Sequence, residues 1–320
     1  MSASRERVAL NAIQWINLKA DPDDPASEDL WLYADPAFRA DYPRVLGQVR
    51  AAGFEAVMME VLNTQTLQDY GRMIQHASLR VAPGYCSVRL PSDYRQTLVR
   101  GTAEWVRWFD PIRRKAEETN YFGLGSIFLA PEVRWGAGAL RTEAQAAVGA
   151  GFDEHRLDEV IDVLGEAATV LAAEGVRAGL HNHVGTWVET EHEIDRVLGS
   201  VDPPLLGASF DVGHLAWAGM DPAAMLRRHS GRLLDLHLKD LDLMVAAESR
   251  HHPTSYRSTV DKGLFLEPGR GQVDLPAVID ALAEDFEGWI IIEVDRVAID
   301  PLESAILSRA WVDQALPASS

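Results

Sequence analysis

Short apolar runs alternate with longer amphipathic stretches along the whole chain. Eight runs read as strands: Val8–Ile16, Ala56–Val61, Leu79–Ser87, Gly125–Ala130, Arg177–His183, Leu206–Asp211, Leu233–Leu238 and Trp289–Glu293. Between them, Phe38–Ala52 and Asp153–Glu174 carry apolar residues at helical spacing. Each ends at a glycine, Gly53 and Gly175, which suits the left-handed position after a helix. Asp221 followed by Pro222 reads as an N-cap with proline in the first helical position. Leu275–Asp285 and Leu302–Leu316 read as the last two helices. Strict alternation of strand and helix predicts a parallel sheet covered by helices. Eight such units predict closure into an α/β fold of the (β/α)8 TIM-barrel type. An open doubly wound sheet is the competing arrangement. It would more often carry a Gly-rich phosphate loop after the first strand, where this chain reads Asn17-Leu18-Lys19.

Two connections are long, Asp21–Asp35 after the first strand and Leu241 to about Gln272 after the seventh. Both follow the C-terminal end of a strand, the active face of a barrel, where long loops serve as lids or substrate walls. No shift of composition marks a second domain, so residues 1–320 are expected to form one barrel.

Composition narrows the partners. Apolar residues make up 47% of 320, enough for a large core, and the formal net charge is −18. Nucleic acid is held by clustered Lys and Arg, and no long run of them occurs here. Cys86 is the only cysteine, which excludes an intrachain disulfide and a Cys-based zinc site. Met1–Val8 lacks an apolar signal core, and no stretch is long and apolar enough to span a bilayer. The expectation is a cytoplasmic protein that binds neither nucleic acid nor membrane.

Ionisable residues recur at the strand ends: Glu60, Glu132 just past the fourth strand, His181, His183, Asp211, His237 and Glu293. In a barrel these ends converge. The seventh strand, Leu233 to Asp240, alternates polar and apolar residues, so Asp235, His237 and Lys239 share a face directed into the barrel. Burying them is costly unless each is paired or binds a ligand; a structural ion pair is the alternative reading. His181 and His183, two apart, share a face in the same way and suit a metal or a proton relay. Glu293 ends an apolar strand and needs a charge partner or a cation. The set His181, Asp211, His237 and Glu293 offers nitrogen and oxygen without sulfur, suited to Mn²⁺, Co²⁺, Fe²⁺, Zn²⁺ or Mg²⁺. Trp15 could stack on a sugar face or simply pack. Arg257 or Arg270 could meet a phosphate or form a surface ion pair.

These residues sit in ordered motifs: HNH at His181–His183, FDVGH at Phe210–His214, HLKD at His237–Asp240, PGRGQVDL at Pro268–Leu275 and IIIEVD at Ile290–Asp295. Together they resemble the sugar phosphate isomerase/epimerase superfamily of xylose-isomerase-like barrels, over nearly the whole chain. Ala82-Pro83-Gly84-Tyr85 and His181-Asn182-His183-Val184-Gly185-Thr186 are similar to stretches of inosose dehydratases. The resemblance implies metal ligands at His181, Asp211, His237 and Glu293, with manganese favoured. His181 stands where isomerases and epimerases of this kind usually have Glu.

What this implies is a metal-dependent enzyme that removes the proton α to the carbonyl of a keto-sugar or keto-cyclitol. The leading expectation is a lyase expelling a β-leaving group, either water from a keto-inositol or the leaving group of an oxidised glycoside. Catalytic candidates are His181, His183, Glu293 and Lys239; substrate-binding candidates are Trp15, Glu60, His214 and Arg270. A sugar isomerase or ketose epimerase is the alternative, weakened because His181 removes one of the two Glu that proton return uses. A metal-dependent endonuclease is more remote, since no basic stripe is present. Barrels of this class often pair, so a homo-oligomer fits the expectation.

Overall fold

A computed structural model describes residues 5–16 and 36–317. Among these residues the strands are β1 (Val8–Leu10), β2 (Ala56–Met58), β3 (Arg80–Ala82), β4 (Tyr85–Val88), β5 (Ser126–Pro131) and β6 (Arg177–Leu180). They continue with β7 (Leu206–Asp211), β8 (Leu233–Leu238), β9 (Asp240–Leu241), β10 (Phe265–Leu266) and β11 (Ile290–Ile292). Nine of them form one parallel sheet in the order β3-β2-β1-β11-β8-β7-β6-β5-β4, and β9 pairs antiparallel with β10. The sheet's two end strands, β3 and β4, are consecutive pieces of chain, so the sheet curls into a barrel. Helices follow the strands, the longest being Glu154–Ala173.

The third strand departs from the expectation of one run, Leu79–Ser87. It breaks at Pro83-Gly84: proline has no N–H for the ladder, and a side chain at Gly84 would meet the Met59 carbonyl oxygen at 2.7 Å. β3 pairs with β2 and β4 with β5, so the break is the barrel's seam. The first strand is also shorter than Val8–Ile16. Asn11 accepts a hydrogen bond from Ile13 N and starts a 3-10 turn, Ala12–Trp15. The expected helix Leu275–Asp285 stops at Asp280. The long connection after β8 is not bare loop but carries helices Leu243–His251 and Tyr256–Val260. The other long connection, Asp21–Asp35, lies outside the described residues.

Local signals account for the helices. Asp153 caps Glu154–Ala173 by accepting from Arg156 N, and Asp221 caps Pro222–Arg228 by accepting from Ala224 N. Gly53 and Gly175 follow their helices at φ of 96° and 78°. The main core lies between strands and helices. A smaller apolar cluster, Ala9, Ala56, Met58, Ala82, Phe128, Trp289 and Ile291, fills the barrel itself. No described helix is long and apolar enough to cross a membrane.

Candidate metal centre

The site stands at the C-terminal ends of β6, β7, β8 and β11, where successive inward positions carry His181, Asp211, His237 and Glu293. Asp211 is oriented by its own backbone. It ends β7 and caps the helix Val212–Trp217, its Oδ1 accepting from His214 N at 2.9 Å. Asn182 clasps the same residue, accepting from Asp211 N at 2.9 Å and donating to Asp211 O at 3.2 Å. This leaves Oδ2, fully buried and without a hydrogen bond.

Four side chains converge on that oxygen: His214 Nε2, from the helix that Asp211 caps, at 4.0 Å, and three from elsewhere. His181 Nε2 is 3.9 Å away, His237 Nδ1 is 3.7 Å away and Lys239 Nζ is 3.0 Å away. His181 Nδ1 lies 3.2 Å from the Ser209 carbonyl oxygen. A carbonyl can only accept, so Nδ1 carries the proton and Nε2 presents a lone pair. His237 Nδ1 stands 2.5 Å from Glu293 Oε2, yet neither atom has hydrogen-bond geometry. One ligand atom from each of His181, Asp211 and His237 falls within 4.8 Å of the others. These buried imidazole and carboxylate atoms make no hydrogen bond to one another, although the Lys239 ammonium stands beside Asp211 Oδ2, and they form the nitrogen and oxygen donor set that suits a divalent cation. These three side chains could therefore hold such an ion, with Glu293 beside His237.

Electrostatics tie the same groups into one charge network. Burial alone would raise the Asp211 carboxyl, but Lys239 and His214 hold it well below the usual range. Glu293 is likewise held low against burial, by Lys239 and His237. Burial would lower His237, yet Glu293 and Asp211 push it up to about 9. Burial and the neighbouring His237 keep His181 neutral. Lys239 is 1% exposed, 2.7 Å from Asp295 and 3.5 Å from Glu293. Its stem runs past Gly213, where a Cβ would come within 2.2 Å of Lys239 Cγ. Gly213 is required for that passage.

A cavity of about 230 Å³ opens above the centre, lined by Asn11, Ile13, Met58, Met59, Glu60, Tyr85, Ser87, Glu132, Val133, Trp135, His181, His183, His237, Glu293 and Asp295. Of the sequence candidates it gathers Glu60, Glu132, His181, His183, His237 and Glu293. Glu60 lines the wall supplied by β2, and burial raises its carboxyl. His183 Nδ1 donates to Val184 O at 2.7 Å, which leaves Nε2 as the free lone pair.

Other candidates fall elsewhere. His214 is fully buried behind His183, ring centroids 3.8 Å apart, and does not line the cavity. Lys239 is also behind the lining, buried among carboxylates. Trp15 turns outward, because the first strand ends early, and its indole N–H bonds Gln48 Oε1 at 2.7 Å. Arg270 is half exposed and lies 3.7 Å from Glu267. Arg257 does not line the cavity either.

Two lining residues stood in the quoted motifs but were given no role there. Asp295 lies two positions beyond Glu293 and so shares its face, a spacing that could have revealed it. Tyr85 packs edge-on against His181, centroids 5.3 Å apart, and its buried hydroxyl has no hydrogen-bond partner. It follows the strand break, which no periodicity exposes.

The model of the xylose isomerase-like TIM barrel family matches residues 46–315. Inosose dehydratase of Geobacillus thermodenitrificans is 34% identical over 164 residues, 50% of this chain and 55% of that protein. Inosose dehydratase of Lactiplantibacillus plantarum is 32% identical over 168 residues, 52% of this chain and 56% of that protein. The chain thus spans about half the length of the curated relatives it matches. Solved structures agree in fold. An L-ribulose 3-epimerase has a TM-score of 0.64 at 16% identity, covering 97% of this chain and 94% of that one. The IOLI protein with a binding zinc atom has a TM-score of 0.61 at 14% identity, covering 96% and 97%.

Proposed function

The chain belongs to the xylose isomerase-like TIM barrel family, and from that premise we propose that it is a divalent-metal-dependent lyase acting on a keto-cyclitol or keto-sugar. The observation that carries this reading is the convergence of His181, Asp211 and His237 within 4.8 Å beneath a small cavity. The local likeness to inosose dehydratases supports elimination as the reaction.

His181, Asp211 and His237, with Glu293 beside them, would hold the cation, with manganese the favoured ion. When bound it supplies Lewis acidity toward the ketone oxygen, stabilising the charge that develops on loss of the α-proton. His183 Nε2, whose lone pair is left free by the Val184 bond, takes that proton. Tyr85 Oη, buried and without a partner, donates to a substrate oxygen. The β carbon–oxygen bond then breaks and the departing oxygen keeps the electron pair. Glu60, on the opposite wall and kept more protonated than usual by burial, gives that oxygen its proton. Lys239, buried among Asp211, Glu293 and Asp295, holds the carboxylates in position.

Incubation of the manganese-loaded protein with keto-inositols and ketoses in D2O tests this. The expected product is an unsaturated ketone. Deuterium in recovered or rearranged sugar without elimination would replace the lyase by the isomerase or epimerase alternative. Neither product nor exchange with any keto-substrate would remove both.

A further inference from the structure

A second cavity, about 410 Å³, adjoins the metal cavity and shares Glu132 with it. The stretch after β5 divides the two: Val133 and Trp135 line the metal cavity, Arg134 lines the second, and Glu132 borders both. Small-molecule pockets usually span roughly 300–1,000 Å³. At about 230 Å³ the metal cavity is sized for one ring and little more.

The second cavity is built rather than incidental. Its far wall is fixed by Arg141, which is 3% exposed and donates to Ala150 O at 2.9 Å, Thr186 O at 2.8 Å and both carboxylate oxygens of Glu193. Asp93 is already matched by Arg134 at 3.6 Å and by Arg156. Glu132 is matched by Arg89 at 3.3 Å and by the Tyr94 hydroxyl at 2.5 Å. Arg95, which also lines the cavity, has no carboxylate at ion-pair distance among the described residues. Its backbone is left-handed, at φ 55°, a conformation that costs energy for a residue other than glycine. In a chain of net charge −18 this leaves one guanidinium without a carboxylate partner at the exposed rim of a cavity that opens beside the reacting centre.

We infer that the second cavity is a subsite for an oxyanion-bearing substituent, carboxylate or phosphate, on the leaving side of the substrate, held by Arg95. The inference rests on the lyase reading for its connection to the reacting ring. The substrate is then a two-part ketone, with the keto ring in the metal cavity and the departing group beyond Glu132. Elimination balances as before. The α-proton is removed, the β carbon–oxygen bond breaks, and the anionic group leaves as an alcohol or as free phosphate.

Two measurements on the whole chain test it. Inorganic phosphate binding, followed by calorimetry, is expected for the wild type, at least tenfold weaker for Arg95→Ala and partly retained by Arg95→Lys. Phosphate that binds both proteins equally, or neither, overturns the subsite. The second measurement compares kcat/KM for an unsubstituted keto-inositol with that for the same ketone carrying a β-phosphate or a β-linked sugar acid. Arg95→Ala is expected to lower the ratio of charged to uncharged substrate roughly tenfold, through KM. An unchanged ratio overturns the subsite while leaving the lyase standing. Arg95-dependent phosphate binding without turnover of any ketone sinks the lyase reading and leaves the anion subsite in place.

Discussion

The inward faces of the barrel's two halves differ. β1 to β5 contribute Ala9, Ala56, Met58, Ala82 and Phe128, whereas β7, β8 and β11 add to the apolar Ile291 the charged Asp211, His237 and, at and beyond the strand ends, Lys239, Glu293 and Asp295. Both faces are buried, but they are held by different forces. The first is filled by volume, and swaps that conserve volume cost little. The second is a closed charge network in which removing one member strands the others in low dielectric. Phe128 joins them, its ring 4.1 Å from that of His237. The apolar half thus serves as a floor for the polar one.

The contrast breaks most sharply at Asp211. Asp211→Asn should cost metal binding, read by elemental analysis, and on the order of a thousandfold in activity, while circular dichroism stays native. If metal and activity both survive, the polar half is only an ion-pair network. Glu60→Gln should lower kcat about a hundredfold and remove the alkaline limb of the pH profile. The sign follows from the raised Glu60 carboxyl: its protonated form is the active one, so activity falls as pH rises through its pKa. Gly213→Ala should displace the Lys239 stem and cost about 1–3 kcal/mol in a denaturant titration, together with weaker metal retention. Met58→Leu, in the apolar half, should cost less than about 1.5 kcal/mol and leave metal content unchanged. A metal loss there would show that the two halves are not separable.

Much of this contrast was legible in the chain. β7 and β8 fall where the apolar runs Leu206–Asp211 and Leu233–Leu238 put them, and the period-two alternation placed His237 and Lys239 on the inward side. Asp211 and Glu293 end their strands, so position alone marked them. Legibility failed where the chain leaves its period. The Pro83-Gly84 break hid Tyr85, and the early turn at Asn11 sent Trp15 outward. His214 and His183 both carried a histidine's signal, but only packing decides that one ring lines the cavity and the other backs it. The second cavity depends on loops that meet across the sequence, and no local pattern announces it.

Arg141 carries a consequence for motion. One guanidinium spans the segments after β5 and β6 through Ala150, Thr186 and Glu193, and Glu189 bonds Gly149 N and Gly185 N at 2.8 Å each. Neither segment can swing open without unpicking the same rivet. Their amide protons should therefore trade with solvent in step, as a single breathing unit above the mouth of the barrel.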